Sequence, residues 1–226
     1  MRKVLATVTV LIVFLVSGSK GQEQEDEIVA KFLSQETTPV MEYTSIRHIE
    51  ARNLKTNMSA SMEVEVNLSG NGKRLFYRVI NESGSGIIRN KAIRKSLNDE
   101  RTYTEKIDPS KVAFTPSNYT ITAGEEVFPD LFQLLSKPLR NEPLMIDGSL
   151  FVTPTGDLVR IEGRLVKNPS WWTNDVKFVR VYSKIEGARL PVFLESTAQV
   201  KLVGPSSMTV TYHYLSVNGV AVTETR

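Results

Sequence analysis

The sequence predicts a mainly β protein with a few α-helices, a single curved antiparallel sheet whose concave face the helices cover. Three observations predict it. Apolar and polar residues alternate with a period of two through most of the chain, as over residues 60–68. Turn residues interrupt that alternation at regular intervals, as in an all-β meander. Residues 22–38 and 88–103 carry helical spacing instead. Strands with one apolar and one polar face build antiparallel sheets that are wet on one side. So long a sheet must hide its apolar face, by curling and by taking helices into its hollow.

The N-terminus reads as an export signal. Arg2 and Lys3 precede an apolar run over residues 4–16, interrupted only by Thr7 and Thr9, and Ser17-Gly-Ser-Lys-Gly21 then supplies the small residues of a cleavage site. The run is shorter than the ~20 residues a membrane-crossing helix needs. Residues 1–21 are therefore expected to be a signal peptide cleaved near residues 19–21, and residues 22–226 a single domain. The expected location is periplasmic or extracellular in a bacterium, with no membrane span after cleavage. The whole chain has 28 Lys+Arg against 25 Asp+Glu. Arg2, Lys3 and Lys20 fall in the first 21 residues, which hold no acid, so the remainder is balanced and gives a nucleic-acid partner no electrostatic support. The absence of cysteine excludes disulfides, thiolate metal sites and a cysteine nucleophile.

Each element follows in order. Ile28, Val29, Phe32 and Leu33 recur at helical spacing behind an acidic start, and Pro39 closes this first helix. Residues 43–51 and 60–68 read as neighbouring strands. Gly70-Asn71-Gly72 is a hairpin turn, because Gly and Asn tolerate the positive φ it needs, and residues 75–80 form the return strand. After the break at 83–86, residues 88–103 form the second helix, with Ile93, Leu97 and Glu100 on related faces. Its Arg89, Lys91, Arg94 and Lys95 are read as a solvated basic face. Residues 108–117 are a loop. Strands then run through Leu144–Val152, Val159–Leu165, Val179–Ile185, Val192–Leu202 and Met208–Tyr214, with Pro154-Thr-Gly-Asp157 as one of the turns.

Specific stretches carry a family resemblance. They are Ile185-Glu-Gly-Ala-Arg-Leu-Pro191, the strand after it, the aromatic-rich strand 207–214, Val217-Asn-Gly219, and 132–140 with Lys137-Pro138. In these the chain resembles the superfamily of periplasmic lipoprotein carriers, the LolA-like fold. Leu158-Val-Arg-Ile-Glu-Gly-Arg-Leu165 and Asn168-Pro-Ser-Trp-Trp172 look closer to a separate bacterial branch than to the lipoprotein chaperone itself. The resemblance implies a half-barrel with helices over its hollow and a non-enzymatic carrier role.

The residues themselves offer little catalysis. His48 and His213 sit in strand-like segments without metal-ligand spacing, and no nucleophile elbow or phosphate loop is present. Glu162 and Glu195 are the carboxylates a glycosidase would use, but cross-strand charge pairing accounts for them more simply. No catalytic residue, metal or cofactor is expected. The expected function is to hold a lipid, an acyl chain or another hydrophobic ligand in the concave face. Trp171 and Trp172 would plug the end of the curved sheet as core or else guard the mouth of the cavity, and Val192, Leu194, Val200, Met208, Val210 and Tyr212 would line the ligand cavity or a filled core. The alternative is an interaction or sensor protein with a filled core and an envelope protein as partner.

Overall fold

A computed structural model describes residues 19–128, 130–168, 173–201 and 204–223. Most of the expected export signal lies outside these residues, as do Trp171 and Trp172. Among the described residues eleven strands form one antiparallel sheet in the order β3-β2-β1-β10-β9-β8-β7-β6-β5-β4, with β11 hydrogen-bonded to β10. The strands are β1 (Tyr43–Asn53), β2 (Ser59–Ser69), β3 (Arg74–Gly84), β4 (Tyr119–Phe128), β5 (Leu131–Pro138), β6 (Ile146–Val152), β7 (Leu158–Leu165), β8 (Thr173–Ile185), β9 (Ala188–Val200), β10 (Gly204–Val217) and β11 (Val220–Ala221). The sheet is open, with β3 and β4 at its edges. The mainly β, antiparallel, helix-covered sheet expected from the sequence is the fold observed.

Local chemistry explains the hairpins. Glu186-Gly187 and Asn218-Gly219 have positive φ at both residues, 48° and 75° in the first and 49° and 81° in the second. That is the mirror-image turn whose twist matches the strands it joins. Residues 70–72 also have positive φ throughout, which agrees with the turn read from the sequence.

The helices divide the inner face between them. α1 (Ser19–Leu33) buries Ile28 and Phe32 against Leu134, Leu150, Val152, Ile161 and Phe178 on β5–β8. α2 (Gly86–Ile88), a π-helical turn (Arg89–Ile93) and α3 (Arg94–Lys106) run on as one helix. It buries Ile88, Ile93 and Leu97 against Ile49, Met62, Val64, Val66 and Leu75 on β1–β3. At about 1.5–3 kcal/mol for each large apolar side chain removed from water, these two clusters are the main source of stability. Leu194 packs against both and marks the seam between them.

Several local readings differ from the structure. The first helix ends at Leu33, well before Pro39, and the chain then crosses to the β8–β9 turn, where the Thr38 amide donates to the Gly187 carbonyl at 3.2 Å. Leu144 lies outside β6 and has φ of 66°. The alternation predicts no strand where β4 runs. On β8 the inward residues are Phe178 and Arg180, paired with Ser196 and Leu194, while Val179 stands opposite Glu195 on the outer face. The basic cluster is largely neutralised: Arg89 and Arg94 both bind Glu82, and Lys95 binds Asp99.

Candidate functional site

Four of the expected ligand-lining residues come together. β9 and β10 pair Leu194 with Val210 and Ser196 with Met208, so Leu194, Met208, Val210 and Tyr212 form one inward patch at the middle of the sheet. Val210 is buried, whereas Leu194, Met208 and Tyr212 keep part of their surface exposed. Val200 faces Gly204 at the far end of the hairpin, away from this patch, and Val192 falls at the irregularity where β8 and β9 shift register.

A polar cluster that sequence reasoning missed lies beside the patch. Arg47 occupies an inward position of β1, in phase with Tyr43, Ile49 and Ala51. Its side chain is 3% exposed, and both Nη atoms donate to the Glu100 carboxylate of α3, at 2.7 and 3.1 Å. Nη2 also donates to the Tyr43 hydroxyl at 2.7 Å, and the guanidinium carbon lies 4.8 Å from the Tyr212 ring centre. Tyr214 stacks parallel to Tyr212 at 6.4 Å, meets Tyr43 edge-on at 5.4 Å, and donates its hydroxyl to the Pro191 carbonyl. The signal available in the sequence was phase. A cation in step with an apolar stripe must either be paired inside or face a ligand.

Arg180 enters the same hollow from β8. Its guanidinium lies 5.6 Å from the Phe178 ring centre, with the Tyr182 and Tyr212 hydroxyls and Glu100 in its electrostatic surroundings. Burial works to lower its pKa, but these neighbours outweigh burial and raise it, so the group stays charged. The Nε atoms of Arg47 and Arg180 are both shut off from water without a hydrogen-bond acceptor. Burial pushes Tyr43 up to about 12, and it raises Tyr212 and Tyr214 as well, so all three are neutral hydroxyls at ordinary pH.

The outer face carries the carboxylates weighed for glycosidase chemistry. Glu162 pairs with Val179 and Val179 with Glu195, which puts the two acids two strands apart, about 9–10 Å. They share an open groove of about 720 Å³ with Asp147, Arg164 and Lys177. Glu162 accepts from Arg160 on its own strand at 2.6 Å, and Asp147 pairs across strands with Arg164 at 2.8 Å, so charge pairing accounts for Glu162 and Asp147. His48 is exposed beside Glu50 on the same outer side. Among the described residues no three His, Asp or Glu side chains are grouped so as to hold a metal ion.

No family model and no curated protein matches the chain. Solved structures similar to it include a domain described as an outer membrane lipoprotein-sorting protein from Vibrio parahaemolyticus, 8% identical with a TM-score of 0.40, covering 86% of this chain and 93% of that one. A LolA-superfamily protein from Nitrosomonas europaea is 9% identical with a TM-score of 0.38, covering 89% of this chain and 94% of its own. A DUF1329-family protein from Desulfovibrio piger is 12% identical with a TM-score of 0.40, covering 84% and 90% respectively.

Proposed function

We propose that this chain is an exported, non-enzymatic binding protein that holds a lipid or other hydrophobic ligand on the inner face of its sheet. One observation carries the reading. The helices bury the two ends of the inner face, while Leu194, Met208 and Tyr212 at its centre remain partly exposed. An apolar strip flanked by packed clusters suits an alkyl chain, whose burial is worth about 0.8 kcal/mol per CH₂. Export rests on Arg2, Lys3 and the apolar run at 4–16. Among the described residues no helix is long and apolar enough to cross a membrane.

The test is native mass spectrometry of the protein purified from the envelope of its own cell. An added mass of several hundred daltons, on the order of one lipid, that disappears on denaturation supports carriage. A bare mass, together with no uptake of fluorescent fatty acid by a delipidated sample, overturns it.

A second reading has its own observation. On the edge strand β3, Phe76 and Ile80 are 58% and 43% exposed, and Ile87 just beyond it is 68% exposed. An open edge with apolar side chains is a surface for another chain. An envelope protein recovered in stoichiometric amount with wild type and lost with Phe76→Ser would favour this reading.

A further inference from the structure

We propose that the ligand is an amphiphile with an acidic head, carboxylate or phosphate, and that Arg180, assisted by Arg47, receives that head at the centre of the inner face. This rests on the reading of the hollow as a hydrophobic-ligand site and names the chemistry of the ligand's polar end.

The charge count is the first support. The inner cluster brings two guanidinium groups to one carboxylate, and Arg47 takes both oxygens of Glu100. Among the described residues Arg180 has no salt bridge of its own: the Phe178 ring and the Tyr182 hydroxyl, which accepts from it, are its near neighbours, and Glu100, already engaged by Arg47, acts on it only through the field. A guanidinium placed among rings and aliphatic side chains is costly unless an anion joins it.

Unused donor capacity is the second. The Arg180 Nε has no acceptor and no access to water, and neither does the Arg47 Nε. A guanidinium edge offers two parallel N–H donors, the geometry that carboxylate and phosphate oxygens match. The Tyr182 and Tyr212 hydroxyls beside Arg180 are further donors.

Position is the third. Arg180 pairs directly with Leu194, and Leu194 with Val210. A head at Arg180 therefore starts a tail on the partly exposed strip of Leu194 and Met208. A cation at one end of an apolar strip reads an acidic amphiphile, and a neutral one leaves the Arg180 charge unmatched.

The experiment measures displacement of a neutral fluorescent probe from the delipidated protein by three ligands: dodecyl phosphate, 1-dodecanol and inorganic phosphate. For wild type the expected result is dodecyl phosphate at least about tenfold tighter than dodecanol, the scale of one charge-assisted hydrogen bond. Inorganic phosphate alone is expected to compete only far more weakly. In Arg180→Met the ratio between dodecyl phosphate and dodecanol collapses toward one, and in Arg180→Lys, which keeps the charge but loses the fork, it falls part of the way. Equal binding of the two long-chain ligands by wild type overturns the acidic head and leaves hydrophobic carriage standing. Binding of neither overturns both. Phosphate competing as tightly as dodecyl phosphate makes this a free-anion site and overturns the amphiphile. The wild-type comparison stands by itself if a variant fails to fold, and a folded Arg180→Met that keeps the ratio also overturns the proposal.

Discussion

Arg47 is held by the Glu100 carboxylate, the Tyr43 hydroxyl and the face of Tyr212, and the two partners of its ion pair are unequally buried. The arginine side chain is 3% exposed and the glutamate 40%. Removing Glu100 therefore strands a buried cation, while removing Arg47 leaves a carboxylate that water can reach. Glu100→Gln is expected to cost about 3 kcal/mol, and Arg47→Met less. Urea denaturation of the two variants decides it, and the reverse ranking would show that Glu100 is the harder charge to leave alone. Tyr43 gives a pH dependence of known sign. Its pKa, raised by burial from 10.0 to about 12, means that folding favours the neutral phenol. That contribution is complete below pH 10 and is lost as pH rises toward 12. Two pKa units correspond to about 3 kcal/mol. Stability measured at pH 9 and pH 11.5 should differ in that direction, and a Tyr43→Phe variant should show a smaller fall.

At the scale of elements, α1 is attached by its own side chains and by a turn. Phe32 is buried against β5–β8, and Phe32→Ala is expected to cost about 3–5 kcal/mol, read from the denaturation midpoint. The turn between β6 and β7 approaches the helix end at Gly156, where φ is 88° and an added Cβ would lie 2.6 Å from the Lys31 carbonyl carbon. Gly156→Ala should loosen α1, so hydrogen exchange should quicken at residues 28–33 before it does in β1 and β2. Uniform protection would mean the helix end yields without detaching. The elements that could be read in advance were those whose side chains alternate cleanly, such as β2 with its inward Ala60, Met62, Val64, Val66 and Leu68. β4 was not legible because its pairing with β5 shifts register on both sides of Glu126. On β8 the inward face was not legible, because its stripe contains Arg180 and a charged residue on the buried side masks the apolar pattern.

For the whole molecule the decisive contact is β1 with β10, which pair from Tyr43–Val217 to Asn53–Ser206 although well over half the chain separates them. That pairing brings Arg47 opposite Tyr212 and sets the β1–β3 cluster beside the meander from β4 to β10. The two clusters support the ends of the sheet, and its centre is where a bound ligand would add stability. Dodecyl phosphate at about 100 times its dissociation constant should stabilise the fold by about 2.7 kcal/mol. Added protection should concentrate on β8, β9 and β10. An unchanged melting temperature with saturating ligand would exclude binding to the folded state.

What the sequence determined by itself was the set of local decisions: strands from alternation, hairpins from Gly and Asn at positive φ, helices from their spacing, and an inward patch containing Leu194, Met208, Val210 and Tyr212. These are decided by neighbours a few residues apart, so they can be read along the chain. Tertiary structure alone decided that Arg47, Glu100 and Arg180 meet in one hollow, that Glu162 and Glu195 face outward, and that the middle of the inner face stays partly open. Those facts depend on strand register between residues far apart in the chain. A shift of one residue would send each of the strand side chains, Arg47, Arg180, Glu162 and Glu195, to the other face.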